Sequence, residues 1–178
     1  DYMPYQTVQD YENYLARLEA FPAKVEQIIE LMQRGIQTNW VPPRIVLRSV
    51  PDQIKAQYDQ EIGNSPLWKP FQEFPTSFTA DSKQNLMQKG RLAIEKDIYP
   101  AYRKLHEYFT GTYLPSCRET IACSDFPNGD AYYRSRIKNY TTTDLTAEEI
   151  HQIGLDEVDR IKSEMLKVIA AAGFEGEF

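Results

Sequence analysis

Between Leu145 and Gly173 the chain spells out one long helix, and no other feature limits the fold as much. Thr146 stands where a side-chain oxygen takes a backbone N–H at a helix start, and Glu149, three residues on, is placed to return the bond. Leu145 and Ile150 flank that pair as a hydrophobic staple, and Glu148 with Glu149 puts negative charge where the helix dipole favours it. Ile150, Ile153, Val158, Ile161, Met165, Val168 and Ile169 recur at helical spacing, and Gly173 supplies the stop. The pattern predicts a helix over 147–172 with a single apolar stripe.

The rest of the chain reads the same way. Thr7 opens an amphipathic segment with Val8, Tyr11, Leu15 and Leu18 on one face, and Phe21-Pro22 closes it while starting the next. That second helix, over 23–34, turns Val25, Ile28, Ile29, Met32 and Ile36 inward, with Gly35 as its stop. Ser49-Val50-Pro51 reads as a cap with proline in the first turn of a short helix reaching Ile54 and Tyr58. From 61 to 79, Gly63 and three prolines punctuate Trp68, Phe71, Phe74 and Phe78; this cannot be regular helix, and its rings must lie across the bundle and close its core. A periodic segment then runs over 80–113, where Pro100 predicts a kink near 96–100 or two helices end to end. Arg44-Ile45-Val46-Leu47-Arg48 is the best strand, short and isolated. With no series of alternating, turn-bounded runs, the class is all-α: an irregular helical bundle with a long capped C-terminal helix and an aromatic-rich Pro/Gly loop, forming one domain over 1–178.

Charge and composition narrow the function. A net charge of -6, from 26 acidic against 20 basic residues, opposes nucleic acid as a partner. No apolar run nears the ~20 residues of a membrane span, and Asp1-Tyr2-Met3-Pro4 is no secretion signal. The chain opens on Asp and stops soon after a helix stop, which fits an excised piece of a longer protein; a mature, processed protein can also begin on Asp. Cys117 and Cys123 lack the further Cys or His a zinc site needs; a short-loop disulfide and two reduced structural thiols fit them equally.

Chemistry-bearing motifs are few. His106-Glu107-Tyr108-Phe109-Thr110 starts like the zinc-peptidase helix but carries Thr110 where the second histidine must stand one turn on, so no metal ligand and no catalytic residue is expected here. His106 and His151 read as ordinary helix positions. There is no Gly-rich phosphate cradle and no nucleophile elbow. Tyr132, Tyr133, Arg134, Arg136 and Lys138 follow a Pro-Asn-Gly turn as an aromatic and basic cluster able to bind a carboxylate or a peptide backbone; a packed tyrosine beside Ile137 with a solvated basic face fits the same residues. Arg118 could pair with a chain acid or a ligand carboxylate.

Pro127-Asn128-Gly129 with Tyr132-Tyr133, then Thr141-Thr142-Thr143-Asp144-Leu145-Thr146 with Glu149-Ile150-His151, Gly154-Leu155, Glu157-Val158, Arg160-Ile161 and Glu164-Met165, resembles the bacterial domain of unknown function family 885. Tyr99-Pro100-Ala101-Tyr102-Arg103 and Leu114-Pro115 fit the same pattern, and the resemblance extends over most of the chain, most specifically from 98 to 174. It implies a larger, mostly helical protein, often secreted or lipid-anchored and hence extracytoplasmic, similar to zinc metallopeptidases of the gluzincin type. Such proteins carry a His-Glu-x-x-His helix further toward the C-terminus; none of those positions exists here, so this chain holds no cofactor and any zinc belongs to the intact parent. Its expected part is a non-catalytic wall of a peptide cleft, partnered by the remainder of the parent chain, with Arg118, Tyr132, Tyr133, Arg136 and Thr142 as substrate-binding candidates. A freestanding helical interaction module without enzymatic role is the competing expectation, and a zinc-free degenerate scaffold a third.

Overall fold

Capping residues and prolines, more than strong helix formers, set where each element of this chain begins and ends. The computed structural model describes residues 4–173 and 176, and among these the chain is all-α, with a single isolated bridge, Pro43 to Arg118, in place of any sheet. Asp1-Tyr2-Met3, read above for a secretion signal, lie outside the described residues, as does Phe174. By its contacts the chain divides into two compact units, Asp1–Ile121 and Ala122–Phe178.

In the first unit, α1 (Val8–Glu19) starts on a full capping box. The Asp10 N–H donates to Thr7 Oγ1 at 3.2 Å, and Asp10 Oδ2 accepts from the Thr7 N–H at 2.8 Å. Its buried face is Tyr11, Leu15 and Leu18. A single residue, Ala20, separates it from α2 (Phe21–Gln37), which starts two residues earlier than expected because Pro22 is tolerated in a first turn. Gly35 does not end α2. It lies inside the helix, where a Cβ would stand 3.0 Å from the Trp40 carbonyl oxygen, and the left-handed residue past the end is Asn39, φ 57°.

The expected strand at 44–48 is instead a 3₁₀ turn, Arg44–Leu47. Pro42 and Pro43 have no N–H to give a ladder, so the one bridge formed cannot propagate, and the chain coils back with Val46 N–H on Pro43 O at 3.3 Å. α3 (Val50–Lys55) follows without a side-chain cap from Ser49 and stops short of Tyr58.

The segment 61–79 packs as expected: 3₁₀ turns at Ile62–Asn64 and Lys69–Phe71 bring Trp68 and Phe71 into the core with Tyr11, Leu15, Leu18, Leu86, Ile94 and Ile98. Each such large side chain, fully removed from water, contributes about 1.5–3 kcal/mol.

The second half of the unit is one nearly continuous helical run. α4 (Ala80–Ala93), α5 (Tyr99–Tyr108) and α6 (Leu114–Ser116) are joined by two π-helical turns, Ile94–Ile98 and Phe109–Tyr113. Each wide turn comes just before a proline, Pro100 or Pro115. Tyr99 N–H donates to Ile94 O and Leu114 N–H to Phe109 O, setting the ladder back one residue where proline offers no donor. Pro100 therefore stands in the first turn of α5, and α4 and α5 meet end to end through the wide turn before it, as one of the two sequence expectations has it. Ile94 and Phe109, which open the wide turns, are both buried. A second, smaller core joins Val25 and Ile29 of α2 to Ala101, with Leu105 and Tyr108 against it.

Arg44 ties the end of this run down. Its guanidinium donates to the carbonyls of Leu114 at 3.1 Å and Pro115 at 2.8 Å, and pairs with Glu119 at 2.5 Å. One cation thus satisfies carbonyls that a helix C-terminus leaves without partners.

In the second unit, a 3₁₀ turn at Cys123–Asp125 leads into α7 (Gly129–Thr141) and α8 (Ala147–Ala171). Asn128, φ 57°, turns the chain into α7, and only glycine fits at 129, because a Cβ there would overlap the Cys123 carbonyl oxygen. α8 starts on the capping box read from the sequence, with Glu149 N–H on Thr146 Oγ1 at 3.2 Å and Thr146 N–H on Glu149 Oε2 at 2.8 Å, and Gly173, φ 67°, follows its end. No helix among the described residues is long and apolar enough to cross a membrane.

Candidate functional site

The sequence candidates divide between the two units. Tyr132, Tyr133, Arg136 and Thr142 belong to the second, Arg118 to the first.

α7 places Tyr132, Arg136 and Tyr140 at i, i+4 and i+8, one above the other on a single face. The Arg136 guanidinium lies over the Tyr140 ring, 4.7 Å from its centroid, and donates to the Tyr140 hydroxyl at 2.6 Å. Tyr132 and Tyr133 are half-exposed, and Tyr140 is 74% exposed. The buried tyrosine that the plainer reading placed beside Ile137 is not found. Tyr140 was missed by the sequence reading, although its spacing from Arg136 and Tyr132 is a helical signal.

Guanidinium stacked on phenol is a preorganised pair: Arg136 keeps further N–H donors for a carboxylate while the ring holds its plane. Rigid tyrosines and an arginine are also the residues that carry most energy at protein and peptide interfaces.

Thr142 closes α7. Its φ of 58° is left-handed, its N–H donates to Lys138 O at 3.0 Å, and its hydroxyl donates to Thr141 O at 2.6 Å. Thr141 in turn donates to Ile137 O at 2.9 Å, and Lys138 pairs with Asp144 at 2.6 Å. The threonine run is a helix stop, with the Thr141 and Thr142 hydroxyls turned to the chain's own carbonyls and that of Thr143 on the Thr141 hydroxyl at 2.8 Å.

Arg118 is half-buried, and its carbonyl accepts from the Arg44 N–H at 2.7 Å at the Pro43 bridge. Its backbone therefore holds the end of the long helical run. Cys117 is buried and Cys123 half-buried, both as free thiols; burial pushes the Cys117 thiol up, against a smaller lowering by Arg44.

His106 is a packing histidine: its Nδ1 meets the Tyr58 hydroxyl at 3.2 Å, and Arg103 lies over the Tyr58 ring. His151 is exposed on α8. Among the described residues, no three of His, Cys, Asp and Glu come together in a set fit to hold a metal ion.

One further surface belongs with these. No residue of α8 is buried. Ile153, Leu155, Val158, Ile161, Met165, Leu166 and Val168 are each 42–67% exposed, so the stripe that made this helix legible is left without cover among the described residues.

Among solved structures, the chain is similar to a crystal structure of "the putative lipoprotein from Colwellia psychrerythraea", with 26% identity and a TM-score of 0.77. The match covers 98% of this chain and 30% of that one, so this chain spans under a third of that protein's length. No curated protein matches it. The family model for bacterial proteins of unknown function DUF885 matches residues 1–178, and the chain belongs to that family.

Proposed function

We propose that this chain is the non-catalytic helical part of a longer, extracytoplasmic, metallopeptidase-like protein, in which α8 docks on the remaining chain and α7 lines a peptide cleft. The observation that carries this is the bare stripe of α8. A 25-residue helix with seven large apolar side chains half in water sits badly in a finished protein, where contiguous apolar patches are small unless something binds them. The relative whose chain is more than three times as long supports extra polypeptide as the cover.

The peptide-facing wall is drawn from the second unit alone. Tyr132, Tyr133 and Arg136 present two phenols and a guanidinium on α7, suited to peptide carbonyls and a carboxylate. Thr142 positions the end of that helix, and Arg118 keeps a structural part in the first unit. No step of peptide hydrolysis is assigned to these residues, since they hold no metal ligand set.

The test is steady-state kinetics on the longer protein with oligopeptides. Arg136→Ala raises KM by about tenfold with kcat little changed, as removal of a contact made equally in ground and transition states requires. A longer protein that cleaves peptides with kcat/KM indifferent to both Arg136→Ala and Tyr132→Ala removes α7 from the cleft. A freestanding interaction module, the alternative, would use the same α8 stripe on a partner in trans.

A further inference from the structure

Within the bare stripe of α8, four residues keep a stricter spacing than the rest. Val158, Ile161, Met165 and Val168 stand three, four and three residues apart, the alternation that holds a seam of side chains against one facing helix. Gly154, four residues before Val158, continues the line, and nothing lies within 4 Å of a Cβ added there. Charge flanks this seam and does not cross it. Glu157 and Glu164 run along one edge, where both pair with Arg160, and Lys162 lies on the other.

The surface of the seam has the matching shape. Ile161, Glu164, Met165, Val168 and Ile169 line a depression on α8. The first four are residues i, i+3, i+4 and i+7, the diamond that makes one hole in knobs-into-holes packing and seats a single side chain from a facing helix. Ile161, Met165 and Val168 around it are all exposed, so the hole stands open among the described residues.

Backbone chemistry narrows what can fill it. The N–H and C=O groups inside α8 are bonded within the helix, so it offers no ladder to a strand. A loop laid on the stripe would take unpaired backbone groups out of water. A single helix brings its backbone already paired, whereas a strand must first be paired into a sheet. The first unit uses the same solution, with α1 packed on α4 and α2 on α5.

The length of the similar lipoprotein gives the source of such a helix. The match takes in 98% of this chain and only 30% of that one, so polypeptide beyond the matched part is plentiful there.

We propose that the cover of α8 is one helix of the longer polypeptide, laid along the 158–168 seam with an apolar side chain seated in the hole between Ile161 and Val168. This rests on the docking of α8 proposed above and adds the kind of element that docks.

The experiment places p-benzoylphenylalanine singly at Val158, Ile161, Met165 and Val168 of the longer protein, mixes each with an isotopically labelled copy, irradiates, and maps the crosslinked residues by mass spectrometry. The expected result is that the four crosslinks fall in one segment of the same chain, advancing in steps of about three to four residues as the probe advances. Probes at the edge positions Glu157 and Lys162, outside the seam, read the same spacing where a bulky group inside it unfolds the protein. Steps of about two residues, or crosslinks scattered over separate segments, overturn the helix while leaving α8 docked within its own chain. Crosslinks only between the two isotopic forms, or none, overturn the docking itself. Crosslinking from Ser163, on the opposite face, as strong as from Met165 overturns the seam.

Discussion

Gly90 carries the sharpest constraint at the residue scale. An added Cβ would stand 2.6 to 2.9 Å from three atoms of the Phe71 ring, and Phe71 is wholly buried in the core, with nowhere to move. Alanine is the better helix former by about 1 kcal/mol, yet the overlap outweighs that gain. Gly90→Ala is therefore expected to destabilise the first unit by about 1–3 kcal/mol in denaturant unfolding, and Phe71→Leu in the same chain to restore part of it. Asp10 gives a pH signature. The Thr7 backbone N–H first, then the Thr7 hydroxyl, hold its carboxyl below the usual range. A folded pKa below the unfolded one stabilises above the unfolded value and loses that contribution as pH falls through the folded one. Thermal unfolding of Asp10→Asn should thus lie below that of the parent near neutral pH, and the gap should close below about pH 4. A gap that persists in acid would assign the effect to something other than the carboxylate. The matching cap of α8 is readable from sequence because Thr146 and Glu149 lie three residues apart, whereas the Thr7–Asp10 box goes unread with an aspartate in place of the usual Glu or Gln, and the Gly90 contact is hidden because Phe71 reaches it through the tertiary fold.

At the scale of elements, local signals located most helices and failed where long-range geometry decides. The α8 capping box, its stripe and its Gly173 stop came straight from spacing. The strand at 44–48 failed because its β-branched pattern lies behind two prolines and beside a single bridge. α7 went unread as a helix because it buries only Gly129, so no apolar period marks it, and its polar face is the one with functional interest. Pro100 and Pro115 each announce a break, but the π turns that absorb them depend on Ile94 and Phe109 reaching the core. Within α8, Gly154 meets nothing within 4 Å of an added Cβ and does not need a left-handed backbone. Gly154→Ala should strengthen α8 by about 1 kcal/mol, seen as increased helical circular dichroism of this chain on heating. No gain would mean that something already packs closely against that position.

At the scale of the whole molecule, the first unit and α8 represent opposite ways of satisfying an apolar helix face. α1, α2, α4 and α5 turn theirs onto one another, and the 61–79 segment seals the gap with Trp68 and Phe71. α8 holds an equally regular stripe together through its capping box and through Arg160, which pairs with Glu157 at 2.7 Å and Glu164 at 2.9 Å, exposed pairs that water and salt screen. Such a helix opens easily, because no buried contact must break first. Amide hydrogen exchange measures that directly. In this chain the amides of 150–169 should exchange orders of magnitude faster than those of α1 and α4, whereas in the longer protein proposed above the same amides should slow by about a hundredfold if the stripe is covered there. Slow exchange already present in this chain at low concentration would show the helix finished as it stands. Slowing that tracks protein concentration would reveal a second copy as the cover, and unchanged fast exchange in the longer protein would leave the stripe to a separate partner. Only protection gained within one longer polypeptide, independent of concentration, agrees with α8 as an internal docking face.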